Sequence, residues 1–193
     1  GEPKTLEPFA ASSIPLVTLG TFLLWFGWFG FNGFSQLAMG TFDDVSAISK
    51  IAVNTHLAGA AGTVTAAVVS RLLGGKTDII MMLNGALAGL VAITAEPLTP
   101  SPLLAIVIGA IGSIIMYFGT KFLEARHLDD VVGAIPVHMF AGIFGTLIVP
   151  ISNPDTNFGT QFTGVISVCL FSFVLSYIIF KVMKATIGLR ISS

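Results

Sequence analysis

The sequence predicts an all-α protein, a polytopic membrane bundle of six transmembrane helices that forms one membrane domain over residues 1–193. Hydrophobic residues make up 54% of the chain and charged residues only 10%, whereas ordinary soluble domains carry roughly 25% charged residues. The mean hydropathy is +0.91. The charges fall in short islands, which leave uncharged runs at 8–42, 51–70, 79–95, 97–120, 131–154 and 156–180. A membrane-spanning helix requires roughly 20 mostly apolar residues, with a range of about 17–25, so each run is long enough to span.

The first three helices are expected at about 14–37, 51–72 and 79–95. The second ends at the Gly74-Gly75 turn, and the third, the shortest, ends before the proline-rich segment EPLTPSP. Glycine and proline are the residues that most often interrupt regular structure. Gly85 and Gly89 have the GxxxG spacing, which predicts close helix packing in lipid, where small residues let two backbones approach.

The last three helices are expected at about 102–122, 131–149 and 161–183. Asp129 and Asp130 stand where the fifth helix begins, and we expect them to cap it and to interact favourably with its N-terminus. Pro136 lies inside this span and lacks the N–H that would bond to the Val132 carbonyl, so it is expected to kink the helix.

The basic residues predict the orientation of the bundle. If the spans alternate, one side carries Lys4, Arg71, Lys76, Lys121, Arg126, Lys181, Lys184 and Arg190. The other side carries Lys50 with Asp43, Asp44, Glu96 and Asp155. The positive-inside rule then places both ends of this segment in the cytoplasm.

The first helix carries a stripe of candidate binding residues. Leu24, Trp28, Phe31 and Ser35 follow one another at helical spacing. The face of an indole attracts cations by about 0.5–1 kcal/mol when exposed and about 2 kcal/mol when desolvated, and a hydroxyl can accept a hydrogen bond from a protonated amine. A cation site is therefore one reading of this stripe. The other is the aromatic belt that commonly lines membrane interfaces.

His138 lies near the middle of the fifth span, in the segment GAIPVHMFAG. An ionisable group at this depth is costly unless it faces a cavity or a partner. A neutral imidazole offers one donor and one acceptor and can relay protons. The pattern leaves two alternatives open: a histidine that lines a passage, and a core histidine that bonds two helices together.

Other polar residues indicate structural roles. His56 is expected to pack or to lie at an interface, and His127 to be a solvated loop residue beside Arg126. The sequence shows no metal-ligand cluster, phosphate-binding loop, nucleophile–base pair or nucleic-acid motif. We therefore expect neither an enzyme nor a nucleic-acid-binding protein, and no cofactor.

The chain resembles the second half of the ammonium transporter (Amt) family in five ordered segments: LLWFGWFGFNGFS, VNTHLAGAAG, NGALAGLVAITA, DDVVGAIPVHMFAGIFGTL and TIGLR. The resemblance implies that the six helices are the sixth to eleventh of an eleven-helix fold, namely the second of two inverted repeats and a final helix. It also implies a homotrimer with one pore in each subunit. Inverted repeats with a site between them are a known transporter architecture.

The resemblance also implies roles for individual residues. Trp28 and Ser35 would recruit ammonium at the outer mouth, and Phe31 would be one of two stacked gate rings. Leu24 and Ala134 would line the pore, and His138 would be one of two paired pore histidines. Two positions depart from the family pattern, since Met139 replaces the glycine after the pore histidine and Phe34 replaces a small residue before the outer serine. Either side chain could narrow the pore or turn toward a neighbouring helix.

The expected function is ammonium or ammonia transport across the cell membrane by a multi-pass, channel-like transporter. The expected partners are ammonium, the lipid bilayer, two further copies of the protein and the missing N-terminal half of the same protein. One alternative is a membrane ammonium sensor in a signalling fusion protein, because such fusions resemble transporters through this region. Another is a degenerate fragment with only a structural role.

Overall fold

The computed structural model describes residues 12–189, and all regular structure within that range is helical. The helices are α1 (Ile14–Gly33), α2 (Phe42–Gly74), α3 (Ile79–Thr94), α4 (Pro102–Ala125), α5 (Ile135–Ile151) and α6 (Phe158–Thr186). A 3₁₀ turn, Phe34–Gln36, extends α1. The predicted six-helix, all-α architecture is confirmed. Lys4 and Arg190, two of the residues used to predict orientation, lie outside the described range.

Side-chain caps fix where most helices begin. Oxygens of Ser13, Thr41, Asp78, Ser101 and Asn157 accept hydrogen bonds from the first-turn N–H groups of α1, α2, α3, α4 and α6. At α2 the Thr41 hydroxyl accepts from the Asp44 N–H at 3.1 Å, and the Asp44 carboxylate accepts from the Thr41 N–H at 3.0 Å. This capping box satisfies two N–H groups that would otherwise lack partners. It starts α2 at Phe42, earlier than the predicted residue 51, so Lys50 lies inside the helix.

The centre of the bundle is the packing of α2, α3 and α4. Small residues bring their backbones together: a Cβ atom on Gly89 would overlap the Ala58 carbonyl, and one on Gly85 would lie 2.5 Å from the Ala66 Cβ. The Ser113 hydroxyl of α4 donates to the Gly62 carbonyl of α2 at 2.8 Å. The close packing predicted from the GxxxG spacing is therefore confirmed.

Two helices are shorter than the prediction required. Four helices of the described chain are long and apolar enough to cross a membrane, whereas α3 and α5 are not. At about 1.5 Å per residue, the 16 residues of α3 fall short of the roughly 30 Å hydrocarbon core of a bilayer. The fifth helix begins at Ile135 instead of residue 131.

Polar side chains hold the connection that follows the short α3. The Asn54 amide donates to the carbonyls of Pro97 and Pro100, each at 2.9 Å. The Glu96 carboxylate accepts from two backbone N–H groups at 3.2 Å and from the Asn153 amide at 2.7 Å. Non-helical backbone at membrane depth is tolerated where protein groups satisfy it, and these bonds allow α3 to end early.

Helix α6 lies at the edge of the bundle, and among the helices of residues 12–189 it contacts only α5. Along α6, all of which the structure describes, no residue is buried. Its apolar side chains therefore face the surroundings of the chain, as expected for a helix that packs mainly against lipid or another polypeptide.

Candidate functional site

A lengthwise groove of about 640 Å³ lies between α1 and α5. Each of these helices packs against α3, and within the described chain they make no contact with each other. Helix α3 is therefore the floor of the groove, and α1 and α5 are its walls. The lining is mostly apolar and consists of Leu23, Leu24, Gly27, Trp28, Phe31, Val91, Thr94, Ala95, His138, Gly142 and Thr146.

The groove brings together most of the residues that the sequence singled out. Leu24, Trp28 and Phe31 extend along one wall, and His138 stands on the other. The indole of Trp28 and the ring of Phe31 are 6.2 Å apart between centroids and tilted by 56°. The helical spacing that defined the stripe therefore places its first three members on one surface.

Ser35 and Ala134 are not part of this lining. The Ser35 hydroxyl donates to the Phe31 carbonyl at 3.4 Å, which leaves its oxygen exposed at the end of α1. The Ala134 N–H donates to the Asp130 carboxylate at 2.9 Å. The predicted recruitment role of Ser35 and pore-lining role of Ala134 remain predictions.

A turn before α5 sets the direction of the helix that carries His138. Gly133 has φ +73°, a conformation that residues with a Cβ rarely adopt. The Asp130 carboxylate accepts hydrogen bonds from the N–H groups of Ala134 and Ile135 at 2.9 and 2.7 Å. The predicted capping role is confirmed for Asp130. Among residues 12–189, no N–H group donates a hydrogen bond of this kind to Asp129.

The cause that was predicted for a kink, a helical hydrogen bond to the Val132 carbonyl lost at Pro136, does not arise, because Val132 precedes the helix. Pro136 lies in the first turn of α5, where its missing N–H would have had no partner in the helix. The segment Ile135–Phe140 is instead a π-helical turn, and π turns inside α-helices occur frequently at functional sites. Pro136 and Val137 are fully buried, which anchors one side of this turn to the core and leaves His138 exposed on the other.

Trp28 is held by a residue on the floor of the groove that the sequence analysis did not identify. Its indole Nε1–H donates to the Thr94 hydroxyl at 2.7 Å, and that hydroxyl donates to the Leu90 carbonyl at 2.6 Å. The two bonds use both the donor and an acceptor position of Thr94 and fix the indole against α3. Only the tertiary structure reveals this pair, since the two residues are 66 positions apart.

The remaining predicted residues lie outside the groove. The His56 ring packs against Trp25 and Phe29, with centroids at 5.5 and 6.2 Å, so the predicted packing role is confirmed. Phe34 lines a separate apolar cavity near the end of α1, and Met139 is exposed away from the groove lining. Neither side chain narrows the groove in this chain.

The fold defines an all-helical, polytopic membrane protein, in which four helices of the described residues are long and apolar enough to cross a membrane. The sequence profile of the Ammonium Transporter Family matches residues 1–193. The chain belongs to this family, whose members are membrane transporters or channels and not enzymes.

Individual relatives agree with this assignment. The chain is 39% identical to ammonium transporter Amt2 of Archaeoglobus fulgidus, with 100% of this chain and 44% of the relative aligned. It is 36% identical to ammonium transporter Amt1 of the same organism, over 100% of this chain and 50% of the relative. The chain therefore spans about half the length of these relatives.

Solved structures share the fold. A structure described as a sensor Amt protein superposes with a TM-score of 0.86 at 35% identity, over 94% of this chain and 46% of that structure. Mep2 of Candida albicans superposes with a TM-score of 0.86 at 25% identity, over 97% of this chain and 45% of that structure. The helical bundle is thus common to Mep2 and to a protein described as a sensor.

Proposed function

We propose that this chain is the second half of an ammonium transporter and that its groove forms one side of the conducting pore. The observation that carries the proposal is the placement of His138 opposite Trp28, Phe31 and Leu24 in one apolar groove. An imidazole in a buried core would support only a structural role. Here the ring stands exposed on the groove wall while its neighbours Pro136 and Val137 are buried.

The aromatic end of the groove is suited to collecting a small cation. Trp28 and Phe31 both line this end, with ring centroids 6.2 Å apart, and aromatic faces attract cations more strongly when water is excluded. Ser35 follows at the end of α1 and supplies a hydroxyl beyond the groove lining. We assign recruitment of ammonium to Trp28 and Ser35 and gating to Phe31.

The deeper part of the groove disfavours charge. Leu24 and Val91 line it with small apolar neighbours, and an unpaired charge in such surroundings carries a large desolvation cost. Ammonium can lower this cost by releasing a proton, which potassium cannot do. Neutral ammonia then passes, and His138 accepts and returns protons as one member of a histidine pair. Selectivity for ammonium over potassium follows because only ammonium can release a proton before it enters the apolar part of the groove.

The second wall of the pore would come from the other half of the protein. The chain spans about half the length of its relatives, and its groove is open along one side. We propose an eleven-helix subunit, a second histidine and a second gate ring contributed by the first repeat, and a homotrimer of such subunits. We propose that both ends of this segment lie at the cytoplasmic side of the cell membrane, which the distribution of basic residues supports through the positive-inside rule.

A sensor function is the second candidate. It is favoured by the likeness to the sensor Amt protein, which superposes with a TM-score of 0.86 at 35% identity. A sensor would bind ammonium at the same aromatic mouth and pass the signal to a cytoplasmic output domain. Selective binding without measurable flux in the complete protein would favour this alternative.

The experiment is proton-coupled ammonium uptake by the complete protein in liposomes. We expect His138→Ala to lose proton-coupled uptake or selectivity over potassium, because the substituted groove can no longer relay the proton. His127→Asn is the control, because His127 is not part of the groove lining. Its backbone has φ 54°, a conformation that asparagine tolerates. Wild-type uptake and selectivity in His138→Ala would reject the relay role.

A further inference from the structure

Two residues of α5 that the transport mechanism does not use, Gly142 and Thr146, line the groove beside His138. They follow His138 along the helix, one and then two turns later. The Asn153 amide, which comes after α5, donates to the Glu96 carboxylate, which comes after α3, at 2.7 Å. Helices α3 and α5 therefore end side by side, and Thr146 lies nearer than His138 to the aromatic end of the groove.

Packing requires a glycine at position 145 but not at position 142. A Cβ on Gly145 would overlap the Ala92 carbonyl. Among the described residues, a Cβ on Gly142 would meet only the Val91 Cγ1, at 3.5 Å, which is an ordinary van der Waals contact. The φ of Gly142 is not positive either, and alanine is the more favourable residue inside a helix. What the glycine provides at position 142 is therefore free space on the groove wall.

Thr146 places a hydrogen-bond acceptor beside this space. Its hydroxyl donates to the Gly142 carbonyl at 2.9 Å, so that the oxygen lies next to Gly142 and its single donor is used. No group within residues 12–189 donates a hydrogen bond to this oxygen, whereas the Thr94 hydroxyl already accepts from Trp28. The Thr146 oxygen can therefore bind a ligand that carries its own donor, such as an N–H group.

We propose that Gly142 and Thr146 form a substrate subsite between the aromatic end of the groove and His138. This inference rests on the proposed function. The substrate is a small N–H donor, either ammonium, ammonia or a short alkylammonium ion. It donates to the Thr146 hydroxyl oxygen, and the space beside Gly142 receives its carbon substituent. The subsite sets how strongly the substrate is held before it reaches His138 and how large a substituent can pass.

Uptake kinetics of the complete protein in liposomes test the role of the hydroxyl. We expect Thr146→Val to raise the KM for ammonium about two- to tenfold, which is the effect of one neutral hydrogen bond, without lowering the melting temperature. Thr146→Ser keeps the hydroxyl and should retain the wild-type KM. Thr163→Val is the matched control, because the Thr163 hydroxyl makes the same kind of bond, to the Gly159 carbonyl at 2.8 Å, outside the groove.

The size of the substrate tests the role of the space. We expect Gly142→Ala to lower the ratio of methylammonium to ammonium uptake by about tenfold, the low end of the discrimination that one carbon atom provides in an apolar site. The melting temperature should not fall, because alanine is favoured over glycine in a helix. Gly164→Ala is the control: a Cβ at this position of α6 meets nothing within 4 Å, and the ratio should not change.

Two results would each overturn this inference while leaving the proposed function intact. One is a wild-type KM for ammonium in Thr146→Val, and the other is a wild-type uptake ratio in Gly142→Ala, in a protein whose ammonium uptake still depends on His138. Binding without flux would transfer the same expected changes to the Kd values of the two substrates. A wild-type protein that neither takes up nor binds ammonium would reject the proposed function and this inference together.

Discussion

Trp28 and His138 face the same groove, but different contacts hold each of them. The indole is bonded to Thr94 at 2.7 Å, whereas His138 depends on its buried neighbours Pro136 and Val137. The first arrangement is a hydrogen bond between two helices and the second is hydrophobic anchoring within one turn. Substitutions can therefore test the two sides of the groove separately.

We expect Thr94→Val to weaken the apparent affinity for substrate. The substitution removes the hydroxyl that accepts the Trp28 Nε1–H, and a donor left unpaired costs about 1–3 kcal/mol when buried. Trp28 is only half-buried, so we expect the lower end of that range, a rise in KM of about fivefold. The KM for methylammonium uptake by the complete protein measures this effect.

Two further variants make this prediction specific. Thr94→Ser keeps the hydroxyl and should retain the wild-type KM. Thr120→Val removes the same kind of hydroxyl-to-carbonyl bond, at 3.0 Å in α4, away from the groove, and should leave KM unchanged. A Thr94→Val protein with wild-type KM would show that the bond does not position the indole.

Among individual residues, the sequence predicted those whose roles depend on local spacing. Leu24, Trp28 and Phe31 share a wall because they recur at the helical period, and His138 was conspicuous because a titratable group is costly in an apolar span. Thr94 carried no such signal. Hydroxyls in membrane helices commonly bond to the carbonyl four residues earlier, and only the approach of α1 to α3 gives this one its second partner.

The start of α5 is the element that most directly sets the geometry of the groove. Gly133 turns the chain at φ +73°, Asp130 caps the helix, and the π turn then presents His138. A Cβ on Gly133 would also lie 2.7 Å from the Asn84 amide nitrogen. A side chain at position 133 would therefore strain the backbone, and we expect this strain to displace α5 or to destabilise it.

We expect Gly133→Ala to lower the stability of the complete protein by about 1–3 kcal/mol, the usual cost of an unfavourable backbone conformation. The melting temperature in detergent measures it. Gly20→Ala is the matched control: a Cβ there meets nothing within 4 Å, and alanine is favoured over glycine in a helix by up to about 1 kcal/mol. A melting temperature for Gly133→Ala equal to that of Gly20→Ala would show that an alanine at position 133 does not strain the backbone.

At the level of helices, sequence prediction succeeded where hydrophobic runs and helices coincide. The predicted spans 14–37, 102–122 and 161–183 agree with α1, α4 and α6 to within a few residues. The early start of α2 depends on a capping box at Thr41. The first turn of this helix contains Asp43 and Asp44, so it lies outside the uncharged run from which the span was predicted. The end of α3 is followed by a connection that Asn54 and Glu96 bond to distant segments. The late start of α5 depends on the turn at Gly133 and the cap from Asp130. Hydropathy registers neither.

The chain as a whole has a well-packed side and an open side. Helices α2, α3 and α4 form the packed centre, while α1 and α6 expose most of their apolar residues. The groove opens between α1 and α5, and a further wall is needed to make it a closed conduit. A second half of similar size, as the length of the relatives indicates, would supply that wall.

Obstruction of the groove is the most direct test of the claim that it is part of a conduit. Leu24, on the groove wall, is 53% exposed in this chain, and Leu170, on the outer face of α6, is 60% exposed. Ammonium flux through the complete protein in liposomes should fall at least tenfold with Leu24→Trp and stay at the wild-type level with Leu170→Trp. Undiminished flux with Leu24→Trp, in protein that reconstitutes normally, would contradict the account.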